Sequence, residues 1–195
     1  MHRRVIMKKF SVILTVFLVL GFGINVSRAG GVFIYEKPKV SHPGKEVAPL
    51  DAYAIIKDDP AHMIIIDVRT KAEYQFVGHP EGAYLIPFQF MGKVFKEKKY
   101  EMIKNNEFAS VILKKFNPKT DSLFFLCRSG TRAAMALSEA VTAGWPAEKA
   151  YVILGGFQGD KMQDKNSAFY GQRVGGCWKN EGLPWTYAMD QKLVY

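Results

Sequence analysis

Cys127 stands where three sequence signals meet. The run Leu123-Phe124-Phe125-Leu126 precedes it, the turn Arg128-Ser129-Gly130-Thr131-Arg132 follows, and then comes the alanine-rich stretch Ala133-Ala134-Met135-Ala136-Leu137-Ser138-Glu139-Ala140. An unbroken apolar run of this length reads as a strand buried on both faces of a sheet, and the alanine-rich stretch reads as a helix. The thiol therefore sits in the tight turn from strand to helix. Backbone N–H groups at a helix start lack partners and carry the positive end of the dipole, so a sulfur held there is favoured as thiolate and draws anions. Arg128 and Arg132 add two fork-shaped cations beside it, which a simple core cysteine would not need. Cys127 is the candidate nucleophile.

The rest of the chain repeats the alternation. Apolar runs at Met63-Ile64-Ile65-Ile66, Ala83-Tyr84-Leu85-Ile86 and Tyr151-Val152-Ile153-Leu154, with a short one near Glu46-Val47, predict further strands. Helical patterns fall between them at 49–57, 71–76, 106–116 and 131–143. Such alternation predicts an α/β domain with a parallel sheet covered on both sides, and in these sheets the site lies beyond the carboxyl ends of the strands. That rule puts Asp67 and Arg69 on the same edge as Cys127, as candidate rim or supporting residues. A local Arg69–Glu73 pair is the structural alternative.

Taken in order, Ile65-Ile66-Asp67-Val68-Arg69 with Glu73-Tyr74, Gly78-His79, Gly82-Ala83 before Ile86-Pro87, the Cys127 turn and Gly155-Gly156-Phe157 resemble the rhodanese family of sulfurtransferases. The resemblance covers residues 46–160 and implies a three-layer fold, a five-stranded parallel sheet with helices on both faces. It looks like a single-domain member. Related phosphatases of this fold use a Cys-x5-Arg loop; here Arg132 gives Cys-x4-Arg, a narrower cradle suited to a sulfane sulfur on the thiolate. The resemblance implies that Cys127 carries a persulfide, taken from a small anionic donor such as thiosulfate and passed to a thiophilic acceptor. Arg128 and Arg132 would hold the donor's oxygens. Ser129, Gly130 and Thr131 would supply loop donors and the bend. A carrier or binding module serving a dedicated partner protein, the sulfur acceptor, is the alternative, and a thiol redox protein or a phosphatase fits less well. No cofactor is needed, and His2, His42, His62 and His79 show no metal-ligand spacing. His79 reads as a turn residue. Gly155-Gly156 lacks the spacing of a nucleotide loop.

The N-terminus carries Arg3, Arg4, Lys8 and Lys9 ahead of an apolar run through Ile24, then Ser27-Arg28-Ala29-Gly30. This is the order of a secretory signal over 1–29, cut before Gly30, and it predicts an exported, periplasmic protein. An uncleaved anchor would be its only membrane contact. Residues 30–45 read as a linker or surface arm, and 161–195, rich in aromatics, as an extension packed on the domain. Losing the five basic residues of 1–29 lowers the formal charge from +9 to +4, too little for a nucleic-acid binder. The cluster Lys93, Lys96, Lys98, Lys99 reads as a solvated segment, with anion collection as the alternative, and the insert 88–105 as a wall of the pocket mouth. Export also raises the question of Cys177: it is remote and free, a reversible redox partner of Cys127, or bound to it in a structural disulfide worth about 4 kcal/mol.

Overall fold

The structure is a computed structural model and describes Tyr35 and residues 37–195, so the signal over 1–29 lies outside the described residues. Five strands form the central parallel sheet: β1 (Lys45–Val47), β2 (Met63–Asp67), β4 (Tyr84–Leu85), β7 (Ser122–Leu126) and β8 (Ala150–Ile153), in the order β1-β8-β7-β2-β4. The helices are α1 (Pro49–Asp58), α2 (Lys71–Val77), α3 (Phe108–Lys115) and α4 (Thr131–Thr142). Two small antiparallel pairs lie outside the central sheet. They are β3 (His79–Pro80) with β9 (Trp185–Thr186), and the hairpin of β5 (Gln89–Lys96) with β6 (Lys99–Lys104).

The central strands are apolar throughout because each face has its own core. Ile66, Leu123, Phe125 and Val152 pack with α3 and α4 on one side. Ile65, Phe124, Leu126 and Ile153 pack on the other with Ala52 of α1, Tyr74 of α2 and Trp178. The side-chain period of two divides a continuous hydrophobic run between both layers. At the carboxyl ends of neighbouring β2 and β7 the chain leaves for opposite faces, into α2 and α4 respectively, and this divergence opens the crevice where α/β sheets place their sites.

Of the segment after 160, Trp178, Leu183, Trp185 and Val194 pack on the α1–α2 side, and Tyr195 packs on the opposite one. Trp178 is 1% exposed, and its Nε1–H donates to Pro184 O at 2.9 Å. Its backbone N–H donates to Gly156 O at 2.9 Å. β9 pairs with β3 so that Thr186 faces His79, whose ring stacks on Tyr74 at 3.5 Å with its nitrogens 3.0 and 3.2 Å from Tyr74 O and Ala188 O. Among the described residues no helix is long and apolar enough to cross a membrane.

The insert is a protruding hairpin, a shape the sequence does not announce. Its turn places Glu97 and Lys98 at φ +49° and +62°, where hairpins normally use Asn-Gly. All four lysines of the cluster project from it exposed.

Trp178→Ala removes a buried indole and is expected to lower unfolding stability by about 3–5 kcal/mol. A urea-denaturation shift below about 0.5 kcal/mol, the size typical of a surface change, would make residues 161–195 a loosely attached tail.

Candidate active site

Asp67 pairs in register with Leu126, and Val68 N–H donates to Leu126 O at 2.9 Å, so β2 aligns the strand that ends in Cys127. The chain then turns through Gly130, at φ +109°, into the first turn of α4. Only glycine adopts that angle without strain. Gly130 N–H points back and donates to Cys127 Sγ at 3.1 Å. The sulfur is thus partnered by the amide before the helix. Cys127 itself is 2% exposed and lies at the floor of a cleft of about 760 Å³.

A second turn clamps this loop from below. Phe157 N–H donates to Cys127 O at 2.8 Å and Gln158 N–H to Arg128 O at 2.9 Å. The approach is so close that a Cβ on Gly156, at φ +58°, would lie 2.4 Å from Cys127 O and 2.8 Å from Ser129 N. Gly155-Gly156-Phe157 therefore serves backbone-to-backbone packing.

Asp67 and Arg69 are both fully buried beneath the site, not on its rim. Their ion pair closes at 2.6 Å through Arg69 Nη2, which also donates to Gly78 O at 2.7 Å, and the Arg69 Nε donates to Asp67 at 2.9 Å. The guanidinium lies 4.4 Å from the centre of the Phe157 ring. Arg69 does not pair with Glu73.

Glu73 belongs instead to Arg132. Arg132 donates to both Glu73 oxygens, at 2.8 and 2.6 Å. Glu73 is also the fourth residue of a capping box: Thr70 N–H and Oγ1–H donate to Oε2 at 3.1 and 3.0 Å, and Glu73 N–H donates to Thr70 Oγ1 at 3.2 Å. Burial works to raise the Glu73 carboxyl, but Arg132 and Thr70 outweigh it and hold it at about 2. Burial likewise opposes the Arg132 charge, and Glu73 with the nearby Cys127 sulfur reverses that, raising the guanidinium above its ordinary value. The expectation that Arg132 grips the donor's oxygens meets a competing partner: its charge is balanced within the protein. The sequence signal, Thr-x-x-Glu, was present at 70–73.

Ser129, Thr131 and Arg128 line the cleft with Cys127. With them in the lining are Met91, Tyr100 and Met102 of the hairpin, all exposed, which makes the insert a wall of the pocket mouth. Lys99, from the lysine cluster, joins this wall. Arg173, from the C-terminal segment, also reaches the cleft and has no sequence motif that marks it.

Cys177 is a free thiol, as is Cys127, and is 0% exposed. Its sulfur accepts from Asn180 N–H at 3.4 Å, and burial pushes its pKa up. The structural-disulfide reading is not what the structure contains. Among the described residues no cluster of three or more His, Cys, Asp or Glu could hold a metal ion.

A cysteine inside a Cys-x4-Arg loop, set at the carboxyl end of a five-stranded parallel sheet with helices on both faces, defines an α/β protein with a cysteine-centred site. The Rhodanese-like domain family matches residues 48–163, and the chain belongs to that family. An uncharacterized protein of Rickettsia rickettsii, the RP600 homolog, is 31% identical over 134 residues, which are 68% of this chain and 89% of the relative. The senescence-associated protein DIN1 of Raphanus sativus is 35% identical over 81 residues, 41% of this chain and 39% of that protein. The crystal structure of Rv0390 from M. tuberculosis superposes with a TM-score of 0.58 at 27% identity, covering 76% of this chain and all of that one.

The depressed Glu73 carboxyl carries a pH signature. Its folded value, about 2, lies below the ordinary 4.5, so the pair stabilises the protein fully above pH 4.5 and the contribution is lost as pH falls from there toward 2. Unfolding curves measured across that window should fall more steeply for the native protein than for Glu73→Gln, which has no carboxyl to protonate. Parallel curves would mean that the pair does not form in solution.

Proposed function

We propose that the protein is a sulfurtransferase in which Cys127 carries a sulfane sulfur from a thiosulfate-type donor to a thiophilic acceptor. The observation that carries the reading is the Cys127 sulfur, partnered by Gly130 N–H at 3.1 Å at the mouth of α4 and open to a cation-lined cleft. The Cys127 thiolate attacks the outer sulfur of the donor. A sulfur–sulfur bond forms on Cys127 as the donor's own sulfur–sulfur bond breaks, and the electron pair leaves with sulfite. The terminal sulfur now bears the negative charge, and the loop amides of 128–131 together with the start of α4 are the groups that stabilise it. Attack by cyanide or a thiol then takes the outer sulfur and returns Cys127 as thiolate. Atoms and charge balance without an added oxidant.

The second reading, a carrier that gives its sulfur to a dedicated protein, draws support from the apolar hairpin wall, since a small donor needs no Met91, Tyr100 or Met102. Export is proposed on the N-terminal signal order alone. Protein recovered from its native cell should then begin at Gly30, and an intact N-terminus would remove that proposal.

Thiosulfate treatment should add about 32 Da, one sulfur, to the peptide containing Cys127, and Cys127→Ser should abolish both this mass and transfer to cyanide. Residual transfer within about tenfold of the native protein would exclude Cys127 as the nucleophile. Rapid transfer to cyanide distinguishes an enzyme from a carrier, whose persulfide would discharge slowly to cyanide.

Cys177→Ser should leave transfer and its sensitivity to oxidation unchanged, because the buried thiol is a poor attacking group. Protection from oxidative inactivation in this variant would make Cys177 a redox partner after all.

A further inference from the structure

We infer that Arg128 and Arg173 form an oxyanion subsite above Cys127, built for a tetrahedral sulfonate-type dianion, with Arg173 supplied by the segment beyond the family's matched residues. The inference rests on the sulfurtransferase reading for its reaction but not for its ligand. Arg132, the arginine expected for this task, is neutralised by Glu73 through two hydrogen bonds. Arg128 is exposed on the cleft and makes no ion pair among the described residues. Arg173 reaches the same cleft with a side chain only 19% exposed.

One turn anchors both arginines. Arg128 O accepts from Gln158 N–H at 2.9 Å, and the Arg173 guanidinium donates to the carbonyl of the next residue, Gly159. Arg173 is tethered further by an isolated bridge between Lys161 and Arg173. Its carboxylate partner is distant: Asp160 Oδ1 lies 3.8 Å away, at the outer limit of an ion pair. Burial, then the positive charge of Arg128, depresses the Arg173 pKa, while the Cys127 sulfur acts in the opposite sense. Two cations held together in this way gain most from a shared anion, and two guanidinium forks match the paired oxygens of a sulfonate. Lys39 and Lys161 at the mouth add attraction for a dianion at longer range. A donor whose oxygens sit between Arg128 and Arg173 has its outer sulfur free to face Cys127.

The test uses sulfate, a tetrahedral dianion with no transferable sulfur, as protectant against alkylation of Cys127 by iodoacetamide, followed on the Cys127 peptide by mass. Sulfate should slow alkylation of the native protein. Arg173→Gln should raise the half-protecting concentration, taken relative to each variant's own sulfate-free rate, by about tenfold or more, with Arg173→Lys in between. Lys57→Gln, which removes an exposed charge from α1, should leave it unchanged. The subsite is overturned if sulfate gives no protection, or if Arg173→Gln is protected at the same sulfate concentration as the native protein once each is referred to its own sulfate-free rate. Should Arg173→Gln not fold, Arg128→Gln in the same assay decides: a raised half-protecting concentration supports the subsite, and an unchanged one overturns it. Because no sulfur moves in this assay, its result stands apart from the transferase reading. Persulfide formation with unaltered sulfate protection in Arg173→Gln would overturn the subsite alone, and sulfate protection without persulfide formation would overturn the transferase alone.

Discussion

The contact on which this site depends is made between two stretches of backbone. The Cys127 loop rests on the 155–158 turn through a pair of hydrogen bonds at 2.8 and 2.9 Å, and the space between them admits no Cβ at Gly156. A loop that must present its own amides to a sulfur cannot use those amides for internal ladders, so its outward carbonyls must be held by another segment. The 155–158 turn does this, and Trp178 N–H in turn donates to Gly156 O, placing the C-terminal segment directly behind the clamp. Loop, clamp and extension form three successive layers.

The buried charges divide their work along the same line. Asp67 and Arg69 are wholly enclosed and hold Phe157, whose N–H reaches Cys127 O. Removing one partner of such a pair typically costs about 3–5 kcal/mol because the other charge is stranded, whereas an apolar replacement of both is far less damaging. The pair thus contributes geometry more than net stability. Glu73 and Arg132 lie nearer the solvent and join two helix starts, while Arg128 and Arg173 keep their charge available to the cleft.

What the sequence disclosed follows how its residues are distributed. The sheet was legible because β2, β7 and β8 are continuous apolar runs buried on both faces, and the Cys127 loop because its parts are contiguous in the chain. The hairpin was not: β5 and β6 are mostly exposed, carry mixed charge, and turn through Glu97-Lys98 without the glycine that would mark it. The partners of the charged residues were not legible either. Arg69 and Glu73 stand four apart on paper, yet the strand end directs Arg69 inward to Asp67, and the capping box directs Glu73 toward Arg132. Arg173 lies far along the chain from Cys127 and comes to the cleft only through the folding of 161–173.

The double duty of Glu73 makes the two helix starts one cooperative unit. A seven-residue helix such as α2 is too short to persist on its own, and its first turn is closed by the same carboxylate that holds Arg132 at the first turn of α4. Opening α2 therefore releases Arg132 and loosens the rim of the sulfur cradle at the same time. Amide exchange in the first turn of α4 would share the opening free energy of α2, making the shortest α-helix among the described residues the gate on how long the cradle stays shut.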